Sequence, residues 1–384
     1  MRILHVVPSY LPATRYGGPI RSVHGLAQAQ AALGHDVQVY TTPVDGPDTS
    51  PVPLQQPVPL DGVQVWYFPV TRLRRLYYAP TLAQTLRQRV RQFDVLHLHS
   101  VFLWPTWAAA RTARAAGVPY VLAPRGMLVP ELIQRKSRWR KTAWLHLIER
   151  HNLAQAAAIH VTTPLEAQDL ARLGYHIPRT LLLPNGVEPL LSEVTGADLP
   201  PEVRALAPQQ PLILFLGRVH WKKGLDRLIP ALAQVPEACL LVVGNDEEGE
   251  WPKLAALAAI SGVAERILRL EPQHGRAKQA LYQRADVFAL PSYSENFGIT
   301  VIEALQTGCP VVITPEVGVA AAVAQAGCGL VCAGDPETLA TALRQVLADA
   351  ALRQTLSIRG QAWVQGEFDW VTLAARSLEF YRQL

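Results

Sequence analysis

Short apolar runs, each cut off by Gly, Pro or a polar turn and followed by a segment of helical period, recur along the whole chain. In the first half the runs fall at 2–8 (RILHVVP), 36–42, 63–69, 94–100 (DVLHLHS), 118–123 and 159–163. In the second half they fall at 211–216, 238–244, 266–270, 286–290 and 310–314. Near-continuous apolarity, rather than strict alternation, is the mark of parallel strands buried on both faces. The helical patterns between them, at 20–32, 82–91, 107–116, 164–173, 225–234, 251–259, 277–284 and 336–348, complete βαβ units. Two such series leave one fold class open, α/β with doubly wound parallel sheets, in which ligands bind outside the strand C-termini. At 384 residues the chain is long for one core. A first domain at 1–187, a proline-rich linker at 188–210 and a second domain at 211–365 are expected, with a helical tail at 366–384.

Residues 291–305, PSYSENFGITVIEAL, are the most specific stretch. A buried strand ends at Pro291, a small polar turn follows, and a helix starts near Gly298. Strand, turn and helix N-terminus together aim unpaired backbone N–H groups at whatever sits above the strand end, and favour an anion there. Glu295 lies in the turn and Glu303 on the helix, so two carboxylates can hold two parts of one polar ligand. Ser292, Ser294 and Glu295 also suit a simple helix cap.

A second loop of the same kind occupies 217–224, GRVHWKKG. Arg218 and Lys223 flank it between a strand end and a helix start, and two cations with helix amides make a diphosphate site. Gly244 ends the next strand. In the first loop of the chain, Gly17 and Gly18 would let backbone approach a phosphate, although a lone Gly-Gly pair is otherwise an ordinary flexible loop. Asn185-Gly186 is a generic turn pair.

The string at 291–305, with G-R-x-x-x-x-K-G at 217–224 and P-N-G-V at 184–187, resembles the retaining glycosyltransferases of family 4, and the resemblance covers nearly the whole chain. It implies the GT-B fold, two Rossmann-like domains facing across a cleft. The first domain would bind the acceptor and the second the nucleotide sugar, and the last helix would cross back onto the first domain. By the same resemblance Glu295, Arg218 and Lys223 are the catalytic set. Gly17, Gly18, Asn185, Gly244, Asn296, Phe297, Gly298, Ile299, Thr300 and Glu303 would hold the donor, with Glu295 on sugar hydroxyls and Glu303 on the ribose. His99, at a strand's C-terminal end, is favoured on the acceptor side. Arg125 stands where many members carry a histidine. A guanidinium cannot act as a base; it can bind an acceptor phosphate or the donor diphosphate, or it can be an exposed turn residue. The string P-R-G-M at 124–127 resembles a subgroup that assembles capsular and other surface polysaccharides.

The resemblance implies a reaction that needs no metal or other cofactor, and no D-x-D pair like that of a metal-dependent donor site occurs. The partners expected are a nucleotide-diphosphate sugar and a glycan or lipid-linked acceptor. A net charge of +5 suits phosphorylated ligands and is too small to argue for nucleic acid. Basic residues and tryptophans interleave over 132–157, which fits either a solvated helix packed through its tryptophans or an anionic membrane face. The four cysteines have no C-x-x-C spacing and read as reduced thiols, with no signal peptide or membrane-spanning run, so a cytoplasmic, optionally membrane-peripheral, protein is expected. A nucleotide-sugar epimerase or dehydrogenase would show G-x-G-x-x-G and a Tyr-x-x-x-Lys pair, and the chain has neither. A non-catalytic sugar-nucleotide scaffold would keep the fold and lose Glu295, Arg218 or Lys223, all of which are present.

Overall fold

The computed structural model describes residues 1–13, 15, 18–135 and 138–384. The chain divides into two compact units, Met1–Gly186 with Phe368–Leu384, and Val187–Glu367. The segment expected as a linker is therefore part of the second unit. It carries a short helix at Pro201–Arg204, and Asp198 in it is paired with Arg276 at 3.1 Å. The prolines break long elements without preventing these contacts.

In the first unit the strands are β1 (Arg2–Ser9), β2 (Asp36–Thr42), β3 (Val44–Asp45), β4 (Asp48–Thr49), β5 (Pro57–Leu60), β6 (Val63–Tyr67), β7 (Val95–His99), β8 (Tyr120–Ala123), β9 (Ala158–Val161) and β10 (Thr180–Leu182). Eight of them form one sheet in the order β10-β9-β8-β7-β1-β2-β6-β5. All neighbours are parallel except β5, which runs antiparallel to β6. Residues 49–59 are rich in proline and polar side chains, a composition that reads as a mobile surface excursion, yet the end of this stretch supplies the edge strand β5, where a missing N–H is tolerated. From β1 the chain passes through β2 to the edge strand β5 and folds back as β6 between them; β7 then lies on the other side of β1 and the series runs outward to β10, so the order reverses between β1 and β7.

The second unit holds β11 (Leu212–Leu216), β12 (Cys239–Val243), β13 (Ile267–Leu270), β14 (Val287–Leu290), β15 (Val311–Ile313) and β16 (Gly329–Val331). Their order is β13-β12-β11-β14-β15-β16, all parallel, and it reverses between β11 and β14. A crevice forms at such a reversal, because the crossovers on either side leave on opposite faces. The four residues of β14 are fully buried, which is why that strand reads as unbroken apolarity.

The helix Trp370–Tyr381 belongs to the first unit and packs with the helix Gly18–Ala32. Asp369 caps it, accepting from the Thr372 N–H. Two glycines make room for the Trp370 ring. A Cβ on Gly25 would lie 2.3 Å from it, and one on Gly186 2.4 Å. We expect Gly25→Ala to lower stability by about 1–3 kcal/mol through overpacking, measured by denaturant unfolding. Pairing it with Trp370→Ala should recover most of that loss, and an additive double variant would contradict the packing account.

Candidate active site

The second unit brings the loops after β11 and β14 together at the reversal point. Gly224 ends the first loop at φ 74°, and a Cβ there would sit 1.9 Å from the Pro291 carbonyl oxygen. Only glycine fits both the left-handed backbone and that approach. Across the junction the Tyr293 N–H donates to the Lys222 carbonyl at 2.7 Å. The Arg227 guanidinium lies 3.4 Å over the Tyr293 ring and donates to the Pro291 carbonyl. The Thr314 hydroxyl anchors the Ser292 carbonyl at 2.7 Å.

This clasp sets Lys223 against Glu295 as a hydrogen-bonded ion pair, with side chains only 18% and 20% exposed. Burial by itself would raise the Glu295 carboxyl. The Lys223 ammonium, the Phe297 backbone N–H and the Arg218 charge outweigh it and hold the group below the usual carboxylate range. Glu295 is further fixed through its backbone, its N–H donating to the Glu316 carbonyl and its carbonyl accepting from Gly318. Gly298, at φ 97°, caps the helix Ile299–Gln306. The first amide of that helix bonded within the chain is that of Val301, to the Gly298 carbonyl. The amides of Ile299 and Thr300 precede it, at the positive end of the helix dipole.

Arg218 is half exposed and reaches Glu247 only at 4.0 Å, a loose pair that leaves its charge available. Glu303 is held from two sides, by the Lys278 ammonium at 2.5 Å and the Tyr282 hydroxyl at 3.0 Å. Lys278 and Tyr282 gave no motif signal in the sequence. They share a face of the helix Gly275–Arg284, a pairing visible only once that helix lies beside Glu303. Gly244 is explained by the chain itself, since a Cβ there would meet the Gly217 carbonyl at 1.9 Å. Its expected donor contact is not needed to account for the glycine.

In the first unit, Gly18 starts the helix after β1, and Gly17 lies outside the described residues. At the ends of β7 and β8 the residues Ser100, Phe102 and Arg125 take left-handed backbone, φ 74°, 62° and 57°. Non-glycine residues in that region carry strain and gather at functional sites. His99 is 1% exposed, with both ring nitrogens engaged, so it cannot touch a ligand directly, as an acceptor-side contact would require. Its place is behind Arg125, whose Nη2 faces the His99 Nδ1 at 3.3 Å. Arg125 is half-buried rather than an exposed turn residue. Burial lowers it to about 10, against the partial help of Glu166 and Tyr381, so it stays charged at neutral pH. Asn185, expected among the donor residues, accepts from Arg125 Nη1 at 2.7 Å.

Behind these lies a group that the sequence did not signal as a set. His5, His97, His99 and His160 are all buried. Ring nitrogens of His5, His97 and His99 fall within 4.8 Å of one another, a spacing that a metal ion could bridge. Every ring nitrogen of the four is already hydrogen-bonded, and Arg125 places a positive charge beside them. The donor set therefore does not fit a cation.

The family model described as Glycosyl transferase 4-like domain matches residues 17–186, and that described as Glycosyl transferases group 1 matches 201–363. Among similar curated proteins, a D-inositol 3-phosphate glycosyltransferase of Xylanimonas cellulosilytica is 29% identical, covering 100% of this chain and 96% of its own. One of Nocardia farcinica, with the same name, is 30% identical over 79% of this chain and 70% of its own. Among solved structures, Anabaena Alr3699/HepE in complex with UDP-glucose superposes with a TM-score of 0.76 at 20% identity, over 100% of both chains. Such a likeness speaks for the two-domain α/β fold. The chain belongs to the family 4 glycosyltransferases, assembled from the 4-like and group 1 domains that its two units match.

Proposed function

We propose that this glycosyltransferase is retaining and metal-independent, moving a sugar from a UDP- or GDP-sugar to a hydroxyl of a glycan or lipid-linked glycan in surface polysaccharide synthesis. The observation that carries the donor half is the Lys223–Glu295 pair, clasped at the strand reversal in the turn that leads into the helix starting at Ile299. When the glycosidic C–O bond to the diphosphate breaks, the leaving group takes the electron pair. Lys223, Arg218 and those amides supply the positive charge that stabilises it. The acceptor oxygen forms the new bond on the same face, and its proton passes to the leaving phosphate oxygen. Glu295 stands to hold the sugar hydroxyls and Glu303 the ribose. His99 and Arg125 serve the acceptor, Arg125 by contact and His99 by supporting it.

Exposed Trp139 and Leu147, in the basic stretch 132–157, support a peripheral membrane contact, and no helix among the described residues is long and apolar enough to cross a membrane. A second reading is a small phosphorylated acceptor, favoured by the names of the inositol phosphate relatives.

Three variants test the donor reading. Arg218→Ala, at an exposed side chain, should cut turnover about 100-fold with unchanged melting temperature. Glu295→Gln should lose transfer while still binding free nucleoside diphosphate. Lys223→Ala should lose donor affinity and also about 3–5 kcal/mol of stability, because it strands the Glu295 carboxylate. Full activity in Arg218→Ala and Lys223→Ala would sink the diphosphate assignment, and loss of both transfer and nucleotide binding in Glu295→Gln would make Glu295 structural. For the membrane contact, Trp139→Ala with Leu147→Ala should release the protein from anionic vesicles. Undiminished co-sedimentation would leave those residues as ordinary surface.

A further inference from the structure

The four buried histidines form two hydrogen-bonded chains whose proton order is fixed from their ends. A guanidinium can only donate, so the His99 Nδ1 facing Arg125 must be a lone pair. Neutral His99 then carries its proton on Nε2 and gives it to His5 Nδ1 at 3.0 Å. His5 in turn donates from Nε2 to Gln30 Oε1 at 2.8 Å. The Gln30 amide donates to Ser377 Oγ at 2.9 Å, and that hydroxyl donates to the Ala374 carbonyl at 2.7 Å. In the second chain the Leu183 carbonyl can only accept, so His160 donates from Nε2 at 2.8 Å. Its Nδ1 accepts from His97 Nε2 at 3.0 Å, and His97 Nδ1 accepts from the Tyr381 hydroxyl at 2.7 Å. His97 and His99 pack with ring centroids 4.3 Å apart, which ties the chains together.

Such a network resists another proton: protonating His5, His99 or His160 would set two donors face to face, and His97 could take one only if the Tyr381 hydroxyl turned to accept. Burial, together with the neighbouring charge of Arg125, pushes His5 down to about 4 and His160 to about 3, and holds His97 and His99 well below their ordinary value. All four stay neutral, and the charge of the cluster rests on Arg125 alone. Glu166 is close enough to act on it but spends its carboxylate elsewhere. One oxygen accepts the Gly126 N–H at 2.7 Å, and the other accepts the Thr162 N–H and hydroxyl at 2.8 Å. Arg125 has five N–H donors to satisfy. Beyond the bonds to Asn185 and His99 it meets no protein acceptor among the described residues, and its Nε is without a partner.

We propose that Arg125 is a preorganised receptor for a phosphate group on the acceptor, and that His99, His5, Gln30 and Ser377 are positioning residues that hold its guanidinium in place. This rests on the acceptor-side reading of the first unit. The phosphate belongs to the acceptor, either as a soluble sugar phosphate or as the head of a lipid carrier. A cation that is fixed, charged and unspent on carboxylates costs little to reorganise when an oxyanion arrives. The returning helix enters the site through Ser377 and Tyr381, residues more than two hundred positions away from Arg125 in sequence.

The test is nitrogen-15 NMR of the full chain, labelled at histidine and arginine. At pH 7 the four histidines should be neutral and protonated on Nε2, and should remain so down to about pH 5. An Nδ1–H signal at His99, or a titration of it near its ordinary value, overturns the ordering. Inorganic phosphate should shift the Arg125 side-chain resonances. His99→Asn, whose Oδ1 stands where Nδ1 was, should keep that response. His99→Leu should weaken it about tenfold, and so should Gln30→Glu, which draws a proton onto His5 and reverses the order. No shift at Arg125 in the wild-type chain, or an equal response in His99→Asn and His99→Leu, overturns the receptor. A response to a polyisoprenyl phosphate in micelles but not to a hexose phosphate assigns a lipid-borne acceptor, and the reverse assigns a soluble one. Nucleoside diphosphate binding is followed in the same samples. Its persistence alongside a silent Arg125 refutes this inference while leaving the donor reading intact.

Discussion

The approach of Gly224 to the Pro291 carbonyl is the constraint on which the candidate site of the second unit depends. Two loops that leave neighbouring strands on opposite faces would ordinarily diverge. Here one lacks a side chain at the single point where the other's backbone must pass, and the two close on each other. Lys223 and Glu295 are thereby brought into contact, each nearly out of water, although 72 residues separate them. An ion pair in that setting is not a strong source of stability, because desolvation offsets much of the attraction. Its value lies in keeping an ammonium and a carboxylate charged and oriented where the strand reversal opens a crevice. Were Lys223 drawn toward an anionic ligand, the Glu295 carboxylate would be released to accept hydrogen bonds from elsewhere.

The first unit solves a different problem. Its central strands carry His5, His97 and His99 where apolar residues would be expected. His5 and His97 are register partners across the β1–β7 pairing. Burying these polar rings is costly unless every nitrogen is paired. The solution pairs the rings with one backbone carbonyl, one amide, one hydroxyl and one arginine besides one another, and it leaves the arginine as the cluster's charge. The same accounting explains why a trio of histidines at metal-binding spacing does not amount to a metal centre.

Much of the architecture was legible in the sequence because parallel strands buried on both faces leave unbroken apolar runs. The strand and helix series, the strand–turn–helix at 291–305 and the loop at 217–224 all read from local pattern. The pairing of Lys223 with Glu295 was not legible, since it depends on the strand order β11-β14 rather than on either loop alone. Nor was the histidine network. His97 and His99 alternate visibly along one strand, but His5, Gln30, His160, Ser377 and Tyr381 join them only through tertiary contacts. Proline misled at Pro57–Leu60, where an edge strand tolerates it. It misled again over the expected linker, where contacts at Asp198 attach the segment to the second unit. The Ala-rich helix Ala320–Ala326 was passed over because it lacks an amphipathic signature.

The account's central claim is that fixed protein charges, Lys223 and Arg218 with the helix amides, receive the donor diphosphate without a metal ion. Calorimetric titration of the folded protein with UDP, GDP and ADP, in Mg²⁺ and again in a chelator, tests it most directly. The account predicts that one of the three binds with the same affinity in both conditions, weakening as salt is raised. Binding that requires Mg²⁺, or no binding by any of them, would contradict it.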